Sequence, residues 1–227
     1  MFKHTFLWVV LFTAVAIGVA VLIPSDPKKY DESLLPWVIK VNDKNQSTVF
    51  GITLGQSTLL DAQKSLHAEG EISLFETKDG EYSVEVFIDS IYLNTLKANL
   101  YLTLEVSQQT AKEMLGRSVN VSRAKDQSNK VKLADADLKA MSLVPVRHII
   151  YIPRANLDAE LIERRFGVPT QKLKESEVVE HWLYPNKGLD IALNSEGREI
   201  FQYVLPMNFS QIVDPLLQAS QAPSLRP

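Results

Sequence analysis

From Ala98 to Val106 the chain reads ANLYLTLEV. In an extended strand successive side chains point to opposite sides, so Ala98, Leu100, Leu102, Leu104 and Val106 share one face while Asn99, Tyr101, Thr103 and Glu105 share the other. A strand patterned this way belongs to an antiparallel sheet with one covered side. Just upstream, Tyr82, Val84, Val86 and Ile88 alternate with Ser83, Glu85, Phe87 and Asp89 after the turn dipeptide Asp79-Gly80. Further upstream the period changes from two to about 3.6. Ser57 is a candidate N-cap, Leu59, Ala62 and Leu66 fall on one helical stripe, and Gly70 closes a helix predicted to run to about Glu69. That stripe needs a sheet to cover it, and residues 48–106 therefore read as a first unit of one helix and a small antiparallel sheet.

Downstream the same order begins again. Residues 107–152 read as a connecting segment, with short helices near 109–115 and 135–143 and the strand VRHIIYI at 146–152. Asn156 is positioned to cap the helix LDAELIERRF. Asp158 and Glu160 lie in its first turn, Arg164 and Arg165 in its last, and Gly167 and Pro169 end it, the charge order a helix dipole favours. Three strands follow at hairpin spacing: VVEHWLY, LDIAL and REIFQYVL, separated by the turns Pro185-Asn186-Lys187-Gly188 and Asn194-Ser195-Glu196-Gly197. Residues 153–207 thus form a second helix-plus-sheet unit, the two helix starts at Ser57 and Leu157 lying 100 residues apart. Residues 208–227 are a tail.

After a tail of residues 1–5, the run FLWVVLFTAVAIGVAVLI at 6–23 has no charge over 18 residues. As a helix it is about 27 Å long, close to a hydrocarbon core of about 30 Å. It is expected to span a membrane, Pro24 and Pro27 ending it. A cleaved leader ending at Ala20 is the competing reading, and the continuation of the apolar run past Ala20 favours an anchor. Lys3 before the run and Lys28, Lys29 and Lys40 after it nearly balance, so the basic residues do little to set orientation. Residues 24–47, with three prolines and the polar run VNDKNQST, read as a spacer, interrupted by an apolar stretch around Trp37 that suits an edge strand or the lipid interface.

Composition removes several functions. The net charge of −3 argues against a nucleic-acid partner, whose phosphates demand an excess of Lys and Arg. With no Cys there is no disulfide, thiolate metal site, thiol nucleophile or acylated cysteine. His4, His67, His148 and His181 lack metal-binding spacing and read as structural or surface residues. Gly51 and Gly55 ahead of Ser57 fall short of a phosphate loop, which also needs a Lys, and no G-x-S-x-G elbow occurs. Glu160 and Glu163 share a helical face, but Arg164 and Arg165 keep both ionised, which suits neither partner to acid–base work. Seven acids and one Lys at 69–89, and five basic residues with Asp126 at 117–132, read as two solvated faces. No catalytic residue, cofactor or metal site is expected. The remaining candidates are aromatic. Trp182 and Tyr184 share one strand face, and Phe201 and Tyr203 another, which makes these four the candidate partner-binding residues if that side is open. Packing beneath the 157–166 helix is the competing reading, and the expected one for Trp182.

Gly167-Val168-Pro169, then His181-Trp182-Leu183-Tyr184, then Leu189-Asp190-Ile191 with a turn and a final strand, follow the pattern of helix, G-x-P, a W-x-Y strand and two more strands. In this the C-terminal part resembles the SmpA/OmlA family, which includes the small lipoprotein of the outer-membrane barrel-assembly machinery. That family's fold resembles the repeat of the beta-lactamase inhibitory protein. Gly167, Pro169, Trp182 and Tyr184 match over about 50 residues. Ile52 to Ser57 is similar to the entry to the family's first helix, but the first unit has neither motif, and the lipoprotein cysteine is missing. The resemblance implies a non-catalytic adaptor, assembly factor or inhibitor, with a spanning helix in place of a lipid anchor. The expectation is therefore an α+β protein, with one transmembrane helix at 6–23 and two related units of helix on a small antiparallel sheet. It would be a single-pass inner-membrane protein whose large domain is periplasmic and binds an envelope protein. The alternative is a membrane-anchored sensor holding a small molecule or lipid between the two units.

Overall fold

Period-two patterning governs most of the folded chain. The computed structural model describes residues 30–118, 120–123 and 128–221 of the 227. A small antiparallel sheet comes first: β1 (Lys40–Val41), β2 (Ser47–Val49) and β3 (Ile52–Thr53). Helix α1 (Leu59–Leu66) leads into β4 (Glu71–Glu76), β5 (Tyr82–Leu93) and β6 (Leu96–Leu104). Then follow α2 (Gln108–Gly116), β7 (Asn120–Arg123), β8 (Asn129–Lys132), α3 (Asp135–Met141) and β9 (Val146–Pro153). Helix α4 (Ala159–Phe166) precedes β10 (Gln171–Lys174), β11 (Val179–Tyr184), β12 (Leu189–Asn194) and β13 (Ile200–Val204), and α5 (Ser210–Gln221) ends the described chain.

The expected pair of small sheets is not what forms. β4 to β13 build one ten-stranded antiparallel sheet in the order β10-β11-β12-β13-β9-β6-β5-β4-β8-β7. The reason lies in β9, which the sequence places in a connecting segment. One edge of β9 pairs with β6, from Ala98↔Pro153 to Leu104↔Val146, and the other with β13, from Phe201↔Tyr151 to Val204↔His148. Two separate units would each have left a long strand edge with unpaired amides, and β9 removes both edges at once. The strands of the second unit thus continue the sheet of the first.

The inner face of this sheet carries Val84, Val86, Leu100, Leu102, Ile149, Tyr151, Ile191 and Tyr203 into one apolar cluster. Leu59, Ala62 and Leu66 of α1, Met114 of α2, Met141 of α3, and Ile162 and Phe166 of α4 join it. So do Leu34, Val49, Phe50, Ile52 and Leu54, which places Leu34 of the expected spacer and the start of the first unit in the core. Tyr203 donates its hydroxyl to the Pro36 carbonyl at 3.0 Å, and Ser47 donates to the Lys187 carbonyl at 2.8 Å. These bonds tie the stretch before β2 to the far end of the chain. A second, smaller cluster lies on the opposite face, where Phe209, Ile212 and Val213 of the expected tail pack on Leu183 and Val204.

The two charge runs also meet. β4 and β8 are neighbours, Lys130 lies 2.7 Å from Glu71, and Asn129 donates to Glu76 at 2.9 Å. The acidic and basic stretches therefore touch at the Lys130–Glu71 pair, both of whose side chains stay exposed.

The described residues give the membrane-anchored description no support. No helix among the described residues is long and apolar enough to cross a membrane, and residues 6–23, on which the single-pass inner-membrane location rested, lie outside the described residues.

Candidate functional site

The four aromatic candidates do converge, but on the inner face. Trp182 pairs with Ile191, which pairs with Phe201, and Tyr184 pairs with Leu189, which pairs with Tyr203. Trp182 is 3% exposed, Tyr184 4%, and Phe201 and Tyr203 are fully buried. Phe166 of α4 closes over them, its ring centroid 5.5 Å from Phe201 and 6.5 Å from Tyr184. Lys172 sits 3.8 Å over the Trp182 ring, whose Nε1 donates to Glu180 at 2.7 Å. The Tyr184 hydroxyl donates to the Gly167 carbonyl at 2.9 Å, and burial together with the charge of Glu163 pushes its pKa up to about 12. These rings are the covered side of the sheet and present no surface to a partner.

The other side is the candidate. A single register line crosses eight strands: Glu71, Phe87, Tyr101, Ile150, Gln202, Asp190, Leu183 and Gln171 are successive cross-strand neighbours. The next line holds Ser73, Glu85, Thr103, His148 and Val204. Helix α5 seats on the Leu183 and Val204 end. Phe87, Tyr101, Ile150 and Ile152 belong to neither apolar cluster and remain partly exposed, with the rings of Phe87 and Tyr101 stacked at 4.7 Å. Sequence patterning assigned Phe87 and Tyr101 to the polar side of their strands. Their being aromatic on that side was the available signal for a second, half-covered face.

On the β11–β13 side of the outer face lies a polar group centred on two buried side chains, His181 and Asp190. His181 Nδ1 lies 2.9 and 3.0 Å from the two carboxylate oxygens of Asp190, its Nε2 lies 3.2 Å from Glu175, and Gln202 donates to Asp190 at 3.2 Å. Burial of the ring opposes its charged form, but hydrogen bonds and charge from Asp190 and Glu175 outweigh that and raise the His181 pKa. When protonated, the ring held at both nitrogens is an ion-paired strut. The carboxylates approach opposite nitrogens and do not converge on a common point. Among the described residues no group of three or more His, Asp or Glu is placed to hold a metal ion.

The remaining candidates are scattered. His67 is exposed at the left-handed end of α1, His4 lies outside the described residues, and Glu160 and Glu163 project from the exposed side of α4. His148 lines a cavity of about 320 Å³ between the sheet and α5, with Gln202, Val204, Gln211, Ile212 and Leu216. No family model matches the chain, and no curated protein and no solved structure matches it either.

Proposed function

We propose that the chain is a protein-binding module whose contact surface is the outer face of the sheet across β5, β6 and β9, and that it acts as an adaptor, assembly factor or inhibitor rather than as a catalyst. One observation carries the reading: Phe87, Tyr101, Ile150 and Ile152 stand side by side on three paired strands, partly exposed, while the opposite face is covered by four helices and a second sheet. Neighbouring strands lie about 4.8 Å apart, so these side chains form a contiguous rigid platform with no loop to order on binding. Stacked aromatics ringed by charge, here Glu71, Glu85 and Asp89, are the composition of an interface centre and its rim. The resemblance of the C-terminal part to the SmpA/OmlA family points the same way, toward a fold whose members bind proteins. The partner expected on this platform offers apolar side chains to the Phe87–Tyr101 pair.

A photo-crosslinking residue at Tyr101, with a control in the exposed turn at Glu196, tests the reading in cells. The expected result is one protein trapped from position 101 and not from 196, and lost when Ile150→Arg is added with the melting temperature unchanged. Trapping of the same proteins from both positions, or insensitivity to Ile150→Arg, would count against the platform.

A further inference from the structure

We propose that the open cavity between the N-terminal end of α4 and the turns that follow β10 and β12 is a binding site for a primary ammonium group on an aliphatic chain, the ammonium donating to Glu199 and the chain lying against Leu157, Val178 and Leu193. The proposal does not rest on the outer-face platform. Glu180 and Leu193, paired across β11 and β12, belong with Trp182 to the opposite face. At about 400 Å³ the cavity falls within the range of roughly 300 to 1,000 Å³ common to small-molecule sites. Glu199 lines it and is only 4% exposed, a degree of cover at which a carboxylate is rarely left without partners. Its Oε2 accepts from the Leu157 amide at 3.2 Å, and Oε1 accepts nothing from the described residues. Among those residues the unpartnered polar side-chain atoms sealed from water are His148 Nε2 and the Tyr151 hydroxyl oxygen. Glu199 Oε1 is therefore unpartnered and still open to a donor arriving through the cavity.

Charge and donor geometry select the ligand. The cavity is lined by four acids, Asp158, Glu177, Glu180 and Glu199, and by one base, Lys174, which is taken by Glu177 at 3.1 Å. Asp158 accepts from the Leu161 amide and Glu180 from Trp182 Nε1, both neutral donors. No ion pair to Asp158, Glu180 or Glu199 occurs among the described residues, and Arg198, next to Glu199 in sequence, is exposed and does not line the cavity. An anion would meet like charge here, and an alcohol would leave the charge uncompensated. A divalent ion needs several converging carboxylates, and the described residues hold no such group of three. A guanidinium is best met by both oxygens of a carboxylate, one of which is spent on Leu157, whereas a single free oxygen suits a compact ammonium. Leu157, Val178 and Leu193 supply the aliphatic wall.

The test is equilibrium dialysis of radiolabelled pentylamine against the full-length chain near neutral pH. One saturable site is expected. Unlabelled pentylamine should compete for it, pentanoate should not, and pentanol and N,N,N-trimethylpentylammonium, which has the charge but no N–H to donate, should each compete about tenfold or more weakly. Nα-acetyl-lysine N-methylamide separates the two sources of such a group: competition equal to that of pentylamine assigns a lysine side chain of another protein, and its failure to compete assigns a free amine, both in support of the site. Glu199→Gln, which keeps the side-chain shape and removes the charge, should weaken binding about ten- to a hundredfold, the worth of a hydrogen bond to a charged group. Val178→Trp, which fills the cavity from the turn after β10, should abolish binding with the melting temperature unchanged. Uptake that never saturates, competition by the trimethyl compound as strong as by pentylamine, or wild-type binding by a folded Glu199→Gln protein would each overturn the proposal. The competitors act on the wild-type chain, so the result stands even where a variant fails to fold.

Discussion

Tyr184 and Gly167 are one joint written as two motifs. The glycine ends α4 with a φ of 86°, and the tyrosine hydroxyl reaches from β11 to its carbonyl, so the G-x-P and W-x-Y patterns fasten the helix to the sheet. Trp182 packs in the same layer. Trp182→Ala is expected to cost about 3 to 5 kcal/mol, a large share of a typical domain's stability of about 5 to 15, and to lower the melting temperature by many degrees. A melting temperature close to wild type would place the ring outside the core. The two histidines on the outer face of the sheet make opposite predictions for pH. The folded-state pKa of His148 is depressed, to about 4, so its contribution is full above about 6.5 and is lost as pH falls toward 4, by up to about 3 kcal/mol. His181 is raised, so its contribution is full below about 6.5 and is lost as pH rises through the folded-state value. Urea midpoints measured from about pH 4 to about pH 9 should show His148→Phe flattening the acid limb, and His181→Asn flattening the limb above about 6.5.

At the scale of elements, turns and bulges place the faces. In β5 the register slips between Ile88 and Ile91, where two residues of β5 oppose Asn99 of β6. This bulge, with Ser90 at a φ of 53° and its amide bonded to the Asn99 side chain, resets the alternation so that Ile91 and Leu93 stay on the inner face with Ile88. Strict period two would have turned both toward the outside. The β11–β12 connection depends on Gly188, at a φ of 63°, whose carbonyl accepts from the Val204 amide at 2.8 Å. A side chain there meets the Val204 carbonyl oxygen and the backbone of Pro206. Gly188→Ala should therefore cost more than the roughly 1 to 2 kcal/mol of left-handed strain alone, and should loosen β13 and the seat of α5 together. Hydrogen exchange at the amides of β13 would check this, and unchanged protection would contradict it.

The described residues from Glu32 on form one compact unit built around the ten-stranded sheet, and the two sequence blocks are not two domains. Cutting the chain between Val106 and Ser107 would strip β6 of β9 and leave β9 to β13 without the α1 and β2–β3 cover that supplies Phe50, Ile52 and Leu54 to the core. Neither half is expected to melt cooperatively alone, whereas the two halves mixed should regain a single transition by circular dichroism and calorimetry. A cooperative transition in the second half by itself would restore the two-unit description.

Periodicity in the sequence was enough to locate β5, β6, β11, β12 and β13, the helices α1 and α4, and the turns at Asp79-Gly80 and 185–188. In those segments the direction of each side chain follows from local backbone geometry. Cap positions were legible only to within two residues: Thr58, not Ser57, closes a capping box with Asp61, and Asp158, not Asn156, accepts from Leu161. Neighbouring residues there have the same chemistry, and only the folded backbone chooses between them. Tertiary structure alone decided the rest. Every strand edge offers the same amides and carbonyls, so no side-chain pattern announces that β9 joins two blocks into one sheet, and the covered face of Trp182 follows from that joining. The pairing of His181 with Asp190, and the cavity that His148 lines beneath α5, depend on register between strands and on where α5 comes to rest. Those are long-range choices, set by burial of the whole core rather than by the residues that bear the chemistry.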